Sequence, residues 1–242
     1  MKVKVLTLFP QMFSPMNESL MKTAQEKGIL EFSTYDFRDF AINKHGHVDD
    51  YPYGGGAGML LRPEPIVECL ESLSLNDKTP IILVDPIGKP FTQSMAQEWA
   101  TKEELVFICG HYEGFDERIR SYVTEEVSLG DYVLTNGELP TMVMIDATVR
   151  LIPEVVGNAE SIVSESFQDH LLEYPQYTRP QNFRGQEVPD VLLSGHHERI
   201  DQWRKKESFK RTAKRRPDIL TNRSLSIEEE QWLEEFNNST QI

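Results

Sequence analysis

LVFICGHYEGFDER, residues 105–118, begins as a five-residue apolar run, stops at a glycine and turns into charge. A short continuous run of branched and aromatic side chains bounded in this way reads as a buried strand. Upstream, IILV (81–84) meets DPIGKP (85–90) in the same manner. Downstream, a strand through Val123 to Val127 leads into SLGDYVLTNGELP (128–140). Val3 to Phe9 forms another such run. Helical patterns lie between them: a segment starting at Ser14-Pro15 and closed by Gly28, then Pro63 to Ser72, Thr92 to Thr101, and the largely apolar Met142 to Leu151, ended by Pro153. Strands alternating with helices predict an α/β fold with a mainly parallel sheet, whose ligands sit at the carboxyl ends of the strands. Three glycine-containing loops at three neighbouring strand ends would enclose one pocket.

A chain of 242 residues, 39% hydrophobic and 26% charged, has room for one large domain or a main domain plus a small one. Its two cysteines, Cys69 and Cys109, each sit in an apolar stretch, which argues against a disulfide scaffold and fits a reducing compartment. The opening MKVKVLTLFP reads as a strand rather than a signal peptide, and no stretch approaches the roughly 18 apolar residues of a membrane span. A soluble, cytoplasmic protein with no membrane partner is expected.

The net charge of −14 argues against a nucleic-acid partner, but the charge is unevenly spread. Residues 199–216 (RIDQWRKKESFKRTAKRR) carry nine Lys/Arg against Asp201 and Glu207, whereas Glu228 to Glu235 is acidic. A basic patch on an acidic protein can still bind RNA. From about Asn158 to Asp190 the chain is polar, with Pro175, Pro180 and Pro189 and little periodicity, and reads as a long loop. Ser194 to Arg216 then reads as one or two basic helices with Ile200, Trp203 and Phe209 on the buried side. Ser226 and Glu229 form a capping box opening a last helix. A small helical C-terminal domain is expected.

Each loop admits a plain reading beside a functional one. YGGGAGM (53–59) lacks the Gly-Lys-Ser/Thr of a phosphate-binding loop, and no GxGxxG opens a helix, so it is a tight turn or a ligand loop. GHYEGFDER is a solvated turn with an ion pair from Asp116 or Glu117 to Arg118, or a site. SLGDYVLTNGELP combines apolar Leu129, Tyr132, Val133 and Leu134 with Gly130 and Gly137. It suits an adenine ring as well as it suits a strand ending in a turn. His45, His47, Asp49 and Asp50 lie close enough for Zn or Mg, although such loops are more often ordinary surface.

Taken together, YPYGGGAGM, GHYEG, SLGDYVLTNGELP, YPQYTRP and VPDVLLSGHH, in that order, resemble the bacterial tRNA (guanine-N(1)-)-methyltransferases of the TrmD type. The resemblance runs from the opening strand to about Arg216. It implies the SPOUT fold, a parallel α/β domain with a trefoil knot, and an obligate homodimer with active sites at its interface. It implies S-adenosylmethionine as methyl donor, held mainly by backbone groups. The matching positions are Pro86, Gly110, Glu113, Leu129, Gly130, Asp131, Tyr132, Val133 and Leu134, with Gly137 close by. The implied substrate is the guanosine on the 3′ side of the anticodon in tRNA.

Guanine N1 carries a proton that a carboxylate must remove, and charge developing on O6 calls for a cationic donor. The family implies Arg150 as the cation. Its base is an Asp before a Ser-Phe pair, where this chain has Glu165-Ser166-Phe167; Glu165 is assigned as base, with Asp169 as the alternative. A divalent ion such as Mg2+ assisting proton abstraction is a further family expectation, with no metal ligands assigned. Other departures are Asn136 and Glu154 where glycine is usual, and His196 where Asn is common. Residues 199–216 are expected to engage phosphates, and Tyr177, Arg179 and Arg184 to close over a flipped-out base. The implied layout is a methyltransferase domain over 1–160, an active-site linker over 161–190 and a tRNA-binding domain over 191–242. The rival reading is a tRNA-binding homologue impaired in catalysis at Glu165.

Overall fold

In a computed structural model, residues 1–42, 46–157, 165–167, 169–221 and 223–239 are described. Contacts divide the chain into two units, Met1–Asn158 and Ala159–Ile242.

The first unit is built on a five-stranded parallel sheet. Its strands are β1 (Lys2–Thr7), β2 (Glu31–Asp36), β5 (Ile81–Pro90), β6 (Glu104–Cys109) and β7 (Glu125–Ser128), in spatial order β2-β1-β6-β5-β7. A small antiparallel pair, β3 (Asp49–Asp50) and β4 (Leu60–Leu61), stands apart. The apolar runs are continuous because both faces of the inner strands are covered. Val3, Val5, Ile82, Val84, Leu105, Phe107 and Cys109 pack into one core, and Leu6, Leu83, Val106 and Ile108 into the other. The helices are α1 (Ser19–Glu26), α2 (Pro63–Ser72), α3 (Gln93–Ala100) and α4 (Glu138–Val149). The predicted α/β class with a mainly parallel sheet is the one observed.

Two local expectations are corrected. The segment at Ser14-Pro15 is a 3-10 turn over Pro10–Asn17 with Pro15 inside it, and the α-helix starts only at Ser19. The apolar helix begins at Glu138 rather than Met142, its Pro140 falling in the first turn where a missing N–H does no harm. One strand of the five-stranded sheet was not expected: β2 (EFSTYD) is an edge strand, half-buried for most of its length, and lacks the apolar signature.

In the second unit a helix of 19 residues, His197–Arg215, buries Phe209, while Ile200 and Trp203 are only half-buried. A helix over Ile227–Ser239 packs on it through Phe209 and Trp232, rings 6.0 Å apart. The capping box is formed: Ser226 N–H donates to Glu229 Oε2 at 2.9 Å, and Glu229 N–H to Ser226 Oγ at 3.2 Å. The stretch before the long helix is tied to it. Leu172 N–H donates to Thr212 Oγ1 at 2.8 Å and Arg211 Nη1 to the Glu173 carbonyl at 3.0 Å. Among the described residues no helix is long and apolar enough to cross a membrane.

Candidate active site

The carboxyl ends of β6, β5 and β7, neighbours in the sheet, open into one cavity of about 330 Å³. Each strand supplies one wall. The first comes from a break in pairing: the ladder between β5 and β7 jumps from Val84 to Lys89, and the intervening residues leave it. Asp85, Pro86 and Ile87 therefore face the cavity. Gly88 rejoins β7 so closely that a Cβ would lie 2.4 Å from the Val127 nitrogen.

The second wall is Gly110 to Phe115. Tyr112 adopts φ 61°, a left-handed conformation uncommon outside glycine and concentrated at functional loops. The Met59 carbonyl, from the YGGGAGM loop, accepts the Glu113 N–H at 3.0 Å. A Cβ on Gly58 would lie 2.3 Å from the Glu113 side chain. That loop thus supports the wall without lining the cavity. The plain reading of GHYEGFDER is realised in part as well, because Asp116 makes a two-pronged pair with Arg118 at 2.8 Å. The hydrogen bonds from Arg118 hold the Asp116 carboxyl below the usual range.

The third wall is Ser128 to Gly137. Ser128 Oγ donates to the Gly130 carbonyl at 3.1 Å and accepts its N–H at 3.2 Å, and the Tyr132 ring folds back over Gly130. Tyr132, Val133 and Leu134 remain exposed, as does Ile87 opposite. Apolar walls with a few convergent polar groups are the usual make-up of a small-molecule site. Gly137 closes the arrangement. Its N–H donates to the Gly110 carbonyl at 2.9 Å, and the two backbones approach so closely that a Cβ would meet the Gly110 nitrogen at 2.6 Å.

Of the positions singled out by motif, Pro86, Gly110, Glu113, Leu129, Gly130, Tyr132, Val133, Leu134 and Gly137 line this cavity; Asp131 does not. His111 and Asp85 also line it and were missed. Beside them, Glu138 is 1% exposed, and its Oε1 accepts from Thr7 Oγ1 at 2.6 Å. Burial raises its carboxyl above the ordinary range.

Known proteins match the chain over nearly its whole length. The family described as tRNA (Guanine-1)-methyltransferase TrmD matches residues 1–222. The chain belongs to that family. A tRNA (guanine-N(1)-)-methyltransferase of Lactiplantibacillus plantarum is 58% identical over 236 residues, 96% of each chain. That of Streptococcus pyogenes serotype M1 is 57% identical over 98% of this chain and 96% of its own. That of Streptococcus pneumoniae (strain Hungary19A-6) is 57% identical over 98% of both.

The residues expected from the sequence to act in catalysis fall in different units. Arg150, half-buried, caps the C-terminus of α4 in the first. Glu165, half-buried, and Asp169, exposed, belong to the second. Asp169 rides on a tight turn in which Phe167 N–H donates to the Leu171 carbonyl at 2.8 Å and Arg223 holds the Asp169 carbonyl at 2.9 Å. Of the possible metal ligands, His45 lies outside the described residues, and Asp50 pairs with Arg62 at 3.8 Å. No group of three or more His, Cys, Asp or Glu among the described residues is placed to hold an ion.

Proposed function

We propose that this chain transfers a methyl group from S-adenosylmethionine to N1 of the guanosine immediately 3′ of the anticodon in tRNA. The observation that carries the reading is the three-walled cavity, lined by the family's motif residues in a chain that belongs to the family over residues 1–222. The cavity fits the donor. Tyr132, Val133, Leu134 and Ile87 offer apolar surface to an adenine ring, and the backbone amides and carbonyls of the three walls supply polar groups for its edge. Glu113, in the cavity lining, adds negative charge for a cationic ligand. The tight crossing of Gly137 over Cys109-Gly110 supports the trefoil knot that the family implies.

S-adenosylmethionine, when bound, supplies a methyl group activated by its sulfonium. The chain's own residues do the rest. Glu165 accepts the N1 proton, with Asp169 as the alternative acceptor, and Arg150 donates to O6 as charge develops there. The three walls restrict the donor to one orientation, so that alignment is provided before the reaction starts. The basic helix His197–Arg215 binds tRNA phosphates, and Tyr177, Arg179 and Arg184 close over the flipped base. In this assignment residues 1–160 are the methyltransferase domain, 161–190 the active-site linker and 191–242 the tRNA-binding domain. The enzyme works as a homodimer in the cytoplasm. Leu139 and Val143, one turn apart on α4 and each about half exposed, offer an apolar stripe to a second copy.

Methyl transfer to unmodified tRNA, with the product base identified by mass, tests this. Labelled N1-methylguanosine, lost when the target guanosine is replaced by adenosine, is expected. Binding of both tRNA and S-adenosylmethionine without turnover would favour the non-catalytic homologue. Chelation in the same assay tests dependence on Mg2+.

A further inference from the structure

Arg120 does not line the cavity, yet its guanidinium links the first wall to the segments that flank the other two. It sits in the 3-10 turn Glu117–Tyr122, directly after the second wall, with a side chain only 16% exposed. Its Nη2 donates to Asp85 Oδ2 in the first wall at 3.1 Å. Its Nε donates to Glu117 Oε2 on its own turn at 2.8 Å. Its Nη1 donates to Glu126 Oε2 on β7, two residues before the third wall begins. One planar cation thereby bonds three carboxylates from three segments, as the fixed fork of arginine allows and a lysine does not.

Asp85 transmits this to the cavity. Its side chain is 10% exposed, and while Oδ2 takes the arginine, Oδ1 accepts the Ile87 N–H at 3.1 Å. The same carboxylate therefore sets the curl of Asp85-Pro86-Ile87, the segment that leaves the β5–β7 ladder to form the first wall. Deleting one partner of a buried ion pair leaves the other charge uncompensated. A solitary Asp85 would turn towards water and take the Ile87 N–H, and with it the wall, out of place.

We propose that Arg120 is a positioning residue for the methyl-donor pocket, tying its first wall through Asp85 to β7 through Glu126, and to the turn that follows the second wall through Glu117. The inference rests on the functional reading above and concerns donor affinity, not the methyl-transfer step. Binding of S-adenosylmethionine to the full chain by calorimetry, with steady-state kinetics on unmodified tRNA, tests it. Arg120→Gln is expected to weaken donor binding about tenfold, the size of coupling found within one ion-pair network, while kcat at saturating donor stays within about threefold. Asp85→Asn added to Arg120→Gln is expected to recover most of that affinity. It removes the orphan charge, and the amide oxygen still accepts from Ile87. A residue that only stabilises the fold would lower the melting temperature with no split between KM and kcat and no recovery.

Donor affinity in Arg120→Gln within twofold of wild type, or no recovery in the double variant, overturns the proposal. Should Arg120→Gln fail to fold, Arg120→Lys keeps the charge and loses the fork. Weaker binding at unchanged kcat supports the proposal there, and wild-type affinity refutes it. A wild-type chain that binds no S-adenosylmethionine overturns the functional reading itself, and this inference with it.

Discussion

Gly137→Ala isolates the close crossing that shuts the candidate pocket. Gly137 has φ −83° and ψ −7°, ordinary right-handed backbone, so alanine meets no conformational penalty there. The new methyl would lie 2.6 Å from the Gly110 nitrogen, 2.9 Å from Cys109 Cα and 3.1 Å from the Cys109 carbonyl carbon. All three are backbone atoms, and Cys109 ends a strand buried on both faces. Reaching an ordinary 3.4 Å contact needs the two segments to part by roughly 0.8 Å, which also strains the Gly137–Gly110 hydrogen bond. Overpacking of this kind costs about 1–3 kcal/mol and a lost hydrogen bond about 1 kcal/mol. The reduced freedom of the unfolded chain returns about 0.5–1 kcal/mol. A net loss of about 1–3 kcal/mol follows, read as a fall of about 1 M in the urea midpoint. Gly157→Ala is the matched control, since nothing lies within 4 Å of its added Cβ and its φ is not positive. A Gly137→Ala variant that unfolds at or above the wild-type midpoint would refute the steric argument.

Three further outcomes are expected. Glu165→Ala abolishes turnover while S-adenosylmethionine binding persists, and Glu165→Asp retains activity; if Asp169→Ala abolishes turnover and Glu165→Ala does not, the base is Asp169. Glu138, raised by burial above its ordinary 4.5, binds more protons folded than unfolded, so its contribution to stability falls as pH rises through that window. Glu138→Gln should therefore gain on wild type between pH 4.5 and neutrality, and a difference in urea midpoint that does not change with pH counts against this. Glu154, where the family usually has glycine, stands at φ 70°. Glu154→Gly should raise stability by up to about 1 kcal/mol, left-handed strain slightly outweighing glycine's entropy, and a loss in thermal unfolding would contradict it.

What could be read in the chain divides by the range of the interactions involved. Strands β1, β5 and β6 were legible because burial on both faces leaves an uninterrupted apolar run, a signal carried entirely by neighbours in sequence. The edge strand β2 shows its neighbours only half a face and leaves no such mark. The start of α4 was misplaced because Glu138 looks like a loop acid until Thr7, 131 residues away, is seen bonded to its carboxylate. The cavity repeats the pattern. Gly110, Gly130 and Gly137 could be singled out by motif, since backbone that must come close to other atoms leaves a glycine behind. Asp85 and Arg120 carry no local signature, and each alone reads as a solvated charge. Their meaning is a pairing across 35 residues, made when β5 and the turn after β6 arrive at one end of the sheet. A motif can therefore mark what touches a ligand, while the residues that hold the walls apart at the right distance emerge only from the fold.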